Sequence, residues 1–284
     1  MLRHTFVLII FVVNLFGQQP DLSFKVMTLN VRYDNPKDSL NAWVNRKALV
    51  ARLLKEERAH IAGFQEAQFH QLQFLDSVMT QYQFYGVGRD DGQIAGEFSP
   101  IFFRKDRFLL CFARTFWLSP TPDVPGSIGK GAVLPRIMTL VRLFDIRAGR
   151  ALWVVNTHFS HVSDSARLQA AKIILQKSKM YAQDEPLIVM GDFNSEQQSA
   201  VYRLFTENKA LPLTDTFFAA QSAHSGGKQT FNAFGKTEKP LIIDHIFCSG
   251  HFKVRQHYFR PLKSNGLFVS DHFPVLTVLE WQKQ

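Results

Sequence analysis

Leu187-Ile-Val-Met-Gly-Asp-Phe-Asn-Ser195 is the stretch on which the reading of this chain turns. Leu187 to Met190 are apolar and bounded by Pro186 and Gly191, which predicts a short buried strand. Asp192 and Asn194 stand two positions apart, so extended backbone projects both to one side and Phe193 to the other, into the core. A carboxylate and a carboxamide are thereby held at a strand's C-terminal end, where open α/β sheets carry their sites. An Asp-x-Asn turn capping the next helix uses the same residues. The rest of the chain decides between these readings.

Outward from that stretch, polar residues close one apolar run after another. Asn30 follows the alternating run that starts at Phe24, Glu66 follows Ile61-Ala-Gly-Phe-Gln65, and Asn156 and His158 follow Trp153-Val-Val155. Asp244 and Ser270-Asp271-His272 sit in the same relation to later runs. Each would be costly if buried without a partner, so their recurrence points to a shared site. Helical spacing is seen over residues 41–58, 69–79 and 166–181 and again near 200–205. Strand-like runs cover 84–87, 99–103, 108–116, 137–144, 242–248, 252–259 and 275–281. Short strands mixed with helices predict two sheets packed face to face with helices outside. No repeat, low-complexity run or Gly/Ser linker interrupts residues 18–284, which are read as one domain. Residues 119–135, rich in Pro and Gly, are expected to form a long surface loop.

Hydrophobic residues make up 46% of the chain and 27 are phenylalanine, which supports a large core and excludes a disordered protein. A net charge of +9 favours anionic partners, although no Arg-rich strand or helix forms a stripe that would track nucleic acid. Cys111 and Cys248 lie in apolar runs without metal spacing and are expected to be buried free thiols. Arg3 and His4 precede an apolar segment too short to span a bilayer, and Gly17 offers a small residue at its end. Residues 1–17 are therefore read as a signal peptide. The mature protein is expected to be periplasmic or secreted, a monomer, and not inserted in the membrane.

Oxygen ligands from Asn, Glu and Asp suit a hard cation such as Mg²⁺ or Mn²⁺. In order along the chain, Thr28-Leu-Asn30, Gln65-Glu66, Asn156-Thr-His158, Gly191-Asp-Phe-Asn194, Ile243-Asp-His-Ile-Phe247 and Ser270-Asp-His-Phe-Pro274 resemble the endonuclease/exonuclease/phosphatase superfamily, in particular its secreted bacterial members. The resemblance implies a four-layered α/β sandwich: two packed mixed β-sheets flanked by helices. It also implies an exported divalent-metal-dependent phosphoesterase that cleaves a phosphate mono- or diester by in-line attack of an activated water. Glu66 would be the principal metal ligand, supported by Asn30 and Asp271. Asp192 would orient or deprotonate the water, and Asn194 would position it or a phosphate oxygen. His272, held in its tautomer by Asp244, and His158 would bind phosphoryl oxygens, with Asn156 and Arg136 contacting substrate. By the same resemblance the substrate would be a phosphorylated small molecule, a lipid headgroup or nucleic acid. A nuclease, or a silent member that binds a phosphorylated ligand, is the alternative.

Other readings of these residues are weaker. Three consecutive residues, Ser270-Asp271-His272, cannot make the hydrogen-bond chain of a serine hydrolase. His158 and His161 would face opposite sides of an extended segment, which argues against zinc and leaves His161 at the substrate side or the surface. His245 is expected in the core, Asp34 and Glu97 at the surface, and Phe217, Phe218, Phe231 and Phe234 in the core more than on a membrane-contacting loop. The Gly129-Lys-Gly131 step departs from the aromatic that precedes the Ala-x-Leu-Pro-Arg136 pattern in bacterial relatives, so the pocket's shape is open at that wall.

Overall fold

In the computed structural model, which describes residues 22–282, the apolar runs become strands and the amphipathic stretches helices. In chain order these are β1 (Ser23–Asn30), α1 (Trp43–Glu57), β2 (Ile61–Gln65), α2 (Phe69–Val78), β3 (Tyr82–Tyr85), β4 (Ile101–Arg104), β5 (Phe108–Trp117), β6 (Ile137–Asp145) and β7 (Arg150–His158). They continue with α3 (Asp164–Ala182), β8 (Leu187–Asp192), α4 (Ala200–Thr206), β9 (Leu213–Asp215), α5 (Thr216–Ala219), β10 (Asp244–Ser249), β11 (Phe252–Phe259), the hairpin β12 (Lys263–Ser264) and β13 (Leu267–Phe268), and β14 (Val275–Trp281). The signal-peptide expectation, residues 1–17, lies outside the described residues.

Two six-stranded mixed sheets form, in the orders β11-β14-β1-β2-β4-β3 and β5-β6-β7-β8-β10-β9. Their facing surfaces bury Phe24, Val26, Ile61 and Phe103 against Val141, Val154, Ile188, Met190 and Ile246. The strand period explains the layering: in β8, Ile188 and Met190 enter this central core while Leu187 and Val189 enter the outer core under α3 and α4. On the other flank, Leu49, Val50 and Leu53 of α1 and Leu72 and Leu75 of α2 cover Met27, Leu29 and Phe64. The result is the expected four-layered sandwich, helix–sheet–sheet–helix.

Some expectations fail locally. Cys248 is buried but Cys111 is exposed, because a register shift between Leu110 and Phe112 breaks the alternation of β5 beside it. The short β9, α5 and the β12–β13 hairpin have too few residues to generate a periodic signal. Residues 118–136 form the predicted loop apart from their ends, closed where the Leu118 N–H donates to the Arg136 carbonyl at 2.7 Å.

Candidate active site

Register brings the polar strand ends to one rim of the sandwich. Asn30 pairs with Gln65 in the first sheet; in the second, Asp192 pairs with both His158 and Asp244. Gly191 makes the second sheet's close fit possible: a Cβ there would lie 2.1 Å from the Thr157 carbonyl oxygen, and its φ is +147°. Phe193 turns away as predicted and packs on Phe159, Phe205 and Phe247, with ring centroids 5.1 to 5.4 Å apart. Glu66 and Asn194 each turn the chain with positive φ, +61° and +45°, in conformations that non-glycine residues seldom adopt.

The centre of the cluster is Asp192. Its Oδ2 accepts a hydrogen bond from Asn30 Nδ2 at 3.0 Å and its Oδ1 one from the Asn194 N–H at 2.9 Å. His158 Nε2 and His272 Nε2 stand 3.5 and 3.7 Å from Oδ2. His272 Nδ1 donates to Asp244 Oδ2 at 2.8 Å, which fixes the tautomer. Burial, and then the nearby Asp244, push Asp192 up to about 7. Burial works against the charge of His272, yet Asp244 and Asp192 outweigh it and raise the imidazole to about 10. His158 is driven the other way, well below the usual range, by burial and by the Arg136 and Arg89 guanidinium groups. One imidazole is therefore cationic at neutral pH and the other neutral.

Glu66 and Asp271 face the same cavity, about 610 Å³, which Asp192, Asn194, His158, His272 and Arg136 also line. The Arg32 guanidinium lies 3.9 Å from Glu66 and 3.7 Å from Asp271, so a cationic group already sits where the two carboxylates converge. Burial and the Glu66 charge push the Asp271 carboxyl up. This donor set, two convergent carboxylates, fits a hard divalent cation. Asp192, Asp244 and His272 also lie close enough to share an ion. Within this trio the His272–Asp244 hydrogen bond already joins the imidazole to one of the two carboxylates.

Several expectations about individual residues need correction. Asn156 is fully buried between the sheets and does not reach the cavity: its amide donates to the Phe64 and Pro100 carbonyls, and its oxygen accepts from Gln65. It ties the sheets together, and Gly63 leaves room for it, since a Cβ there would lie 2.8 Å from its side chain. Asn30 turns its NH₂ to Glu66 and Asp192 while its oxygen holds the Arg32 N–H, so it orients both carboxylates. Glu97 is no surface acid. It accepts from Arg89 at 2.6 Å, lies 3.9 Å from His158 Nδ1 and lines the cavity. His161 needs no correction: it lines the cavity, on the substrate side that was one of its two expected places, and accepts from Arg136 Nη2 at 3.2 Å. Phe231 and Phe234 form a cavity wall and are not core; Phe231 meets the His272 ring edge-on at 5.1 Å.

Arg46 was not singled out by the helical spacing read over residues 41–58. It is fully buried and donates to the carbonyls of Val31, Arg32 and Val269, tying the end of β1 to the segment that carries Asp271 and His272. Its place three residues after Trp43, on the same helical face, was the available signal. Glu97 and Arg32 gave none, since neither belongs to a periodic element. His245 is in the core as expected, donating to the Ser195 carbonyl at 2.9 Å.

Comparison with known proteins agrees with this geometry. The sequence model described as "Endonuclease/Exonuclease/phosphatase family" matches residues 27–272. An endonuclease/exonuclease/phosphatase of Bacteroides vulgatus is 37% identical and superposes with a TM-score of 0.88, over 92% of this chain and 99% of its own. The mannosyl-6-phosphatase of Bacteroides thetaiotaomicron VPI-5482 is 33% identical with a TM-score of 0.83, over 91% of this chain and 100% of its own. Protein L388 of Acanthamoeba polyphaga mimivirus is 26% identical over 279 residues, 90% of this chain and 100% of its own.

Proposed function

The chain belongs to the endonuclease/exonuclease/phosphatase family, whose members are typically metal-dependent phosphoester hydrolases, and from that membership we propose that it is an exported phosphatase acting on a phosphorylated saccharide. The observation that carries the chemistry is Asp192, held by Asn30 and the Asn194 N–H between one neutral and one cationic imidazole. Asp192, with its carboxyl raised to about 7, is suited to take the proton of a water attacking phosphorus. His272, cationic and locked by Asp244, stabilises the negative charge on the phosphoryl oxygens. His158, neutral at the same pH, donates or accepts a hydrogen bond at its Nε2 without repelling Arg136. Arg136 brings a buried Nη1 with no partner among the described residues, a donor free for a further phosphoryl oxygen. Glu66 and Asp271 would hold the divalent cation, with Asn30 steadying Glu66. When bound, the cation supplies charge neutralisation at the phosphate and its leaving oxygen.

The saccharide assignment draws on the activity named for the Bacteroides thetaiotaomicron relative and on a concave cavity with the aromatic wall Phe231 and Phe234. Export draws on the sequence of residues 1–17; no helix among the described residues is long and apolar enough to cross a membrane. Purified residues 18–284 should hydrolyse a hexose 6-phosphate with Mg²⁺ or Mn²⁺ and lose that activity with EDTA, in a panel that includes p-nitrophenyl phosphate, bis-p-nitrophenyl phosphate, sphingomyelin and plasmid DNA. Preferential cleavage of DNA would replace this reading with the nuclease one. No turnover of any member by folded, metal-binding protein would favour a silent phosphate-binding member.

A further inference from the structure

A second cavity of about 440 Å³ lies beside the catalytic one, and Asn194, Leu241 and Ile243 line both. Leu168 and Val201 give the second cavity apolar surface; Asp164, Arg167 and Glu196 give it a charged rim. The Arg167 guanidinium is anchored to the Ser160 carbonyl and to Asp164, yet its buried Nε–H has no partner among the described residues. Glu196 is exposed and its carboxylate makes no ion pair or hydrogen bond among the described residues. Acceptors and a donor around an apolar floor match a pyranose ring, which offers a band of C–H groups edged by hydroxyls. We propose that this cavity binds a further sugar of the substrate, so that the preferred substrate is a phosphorylated oligosaccharide and not a lone hexose phosphate. The inference rests on the phosphatase reading of the adjoining site.

Ala200 opens α4, is exposed and lines only the second of the two cavities, so Ala200→Trp fills it without touching the catalytic cluster. The experiment compares kcat/KM for mannose 6-phosphate and for a mannobiose carrying the same 6-phosphate. The disaccharide should be preferred by about tenfold or more, and Ala200→Trp should erase the preference with mannose 6-phosphate turnover unchanged. Glu196→Ala, which removes an acceptor without filling space, should reduce the preference several-fold with the same monosaccharide rate. Equal kcat/KM for the two substrates in the wild type, or a preference that survives both variants, would overturn the second-sugar site while leaving the phosphatase reading intact. Failure to hydrolyse any phosphate ester would instead remove the reading on which it rests.

Discussion

His158 and His272 lie within 4 Å of the same Asp192 oxygen, at 3.5 and 3.7 Å, but their partners differ in sign. Arg136 and Arg89 add to the burial that neutralises His158, whereas Asp244 and Asp192 overcome the burial of His272. A pH dependence of activity follows. As pH rises through about 7, Asp192 gives up its proton and becomes a competent base, so kcat/KM climbs. As pH passes about 10, His272 loses its proton and kcat/KM falls. The profile is a bell whose limbs belong to the coupled cluster, and a bound cation would draw the acid limb lower. Asp244→Asn removes the first of the contributions that raise His272, so its alkaline limb should move toward neutrality and kcat should fall about 10³-fold or more. An alkaline limb that stays near 10 in this variant would show that Asp244 does not set the charge of His272.

Among the elements, the pairing of β7 with β8 decides the site, because it sets His158 opposite Asp192. That pairing depends on Gly191, where any side chain would meet the Thr157 carbonyl. Gly191→Ala should cost about 2–4 kcal/mol in urea unfolding and should lower activity in the protein that remains folded. A midpoint within a few tenths molar of wild type would mean that β7 yields without loss. Strands β1, β2, β7, β8, β10 and β14 were legible from the sequence because each pairs an apolar period with a polar end. That Glu66, Asp192, Asn194, Asp244, Asp271 and His272 of the candidate site would come together was legible for the same reason. Glu97 and Arg32 were not, since they reach the cavity from loops whose path depends on tertiary contacts. Asn156 misled in the opposite sense: it follows an apolar run as the others do, but its side chain points between the sheets, where position in the sequence cannot distinguish a structural amide from a substrate contact.

At the scale of the molecule, the candidate site and a buried ion pair occupy opposite ends of the sandwich. The sheet register that sets His158 beside Asp192 sets Arg150 opposite Asp145 at the far end of β7. There Arg107 and Asp145, both fully buried, form an ion pair at 3.0 Å, and the Trp281 Nε1–H donates to the same carboxylate at 2.9 Å. Asp145→Ala would take the carboxylate counter-charge from the buried Arg107 guanidinium and should cost about 3–5 kcal/mol, with kcat/KM of the folded fraction unchanged. A matching loss of kcat/KM would mean that the two ends are coupled. The central claim, that Asp192 activates the water in a phosphoester hydrolase, is tested most directly by kcat for mannose 6-phosphate with saturating Mg²⁺ in wild type and Asp192→Asn. The account predicts at least about a thousandfold loss in a variant that melts cooperatively near the wild-type temperature. A folded Asp192→Asn protein that retains most of the wild-type kcat would contradict it.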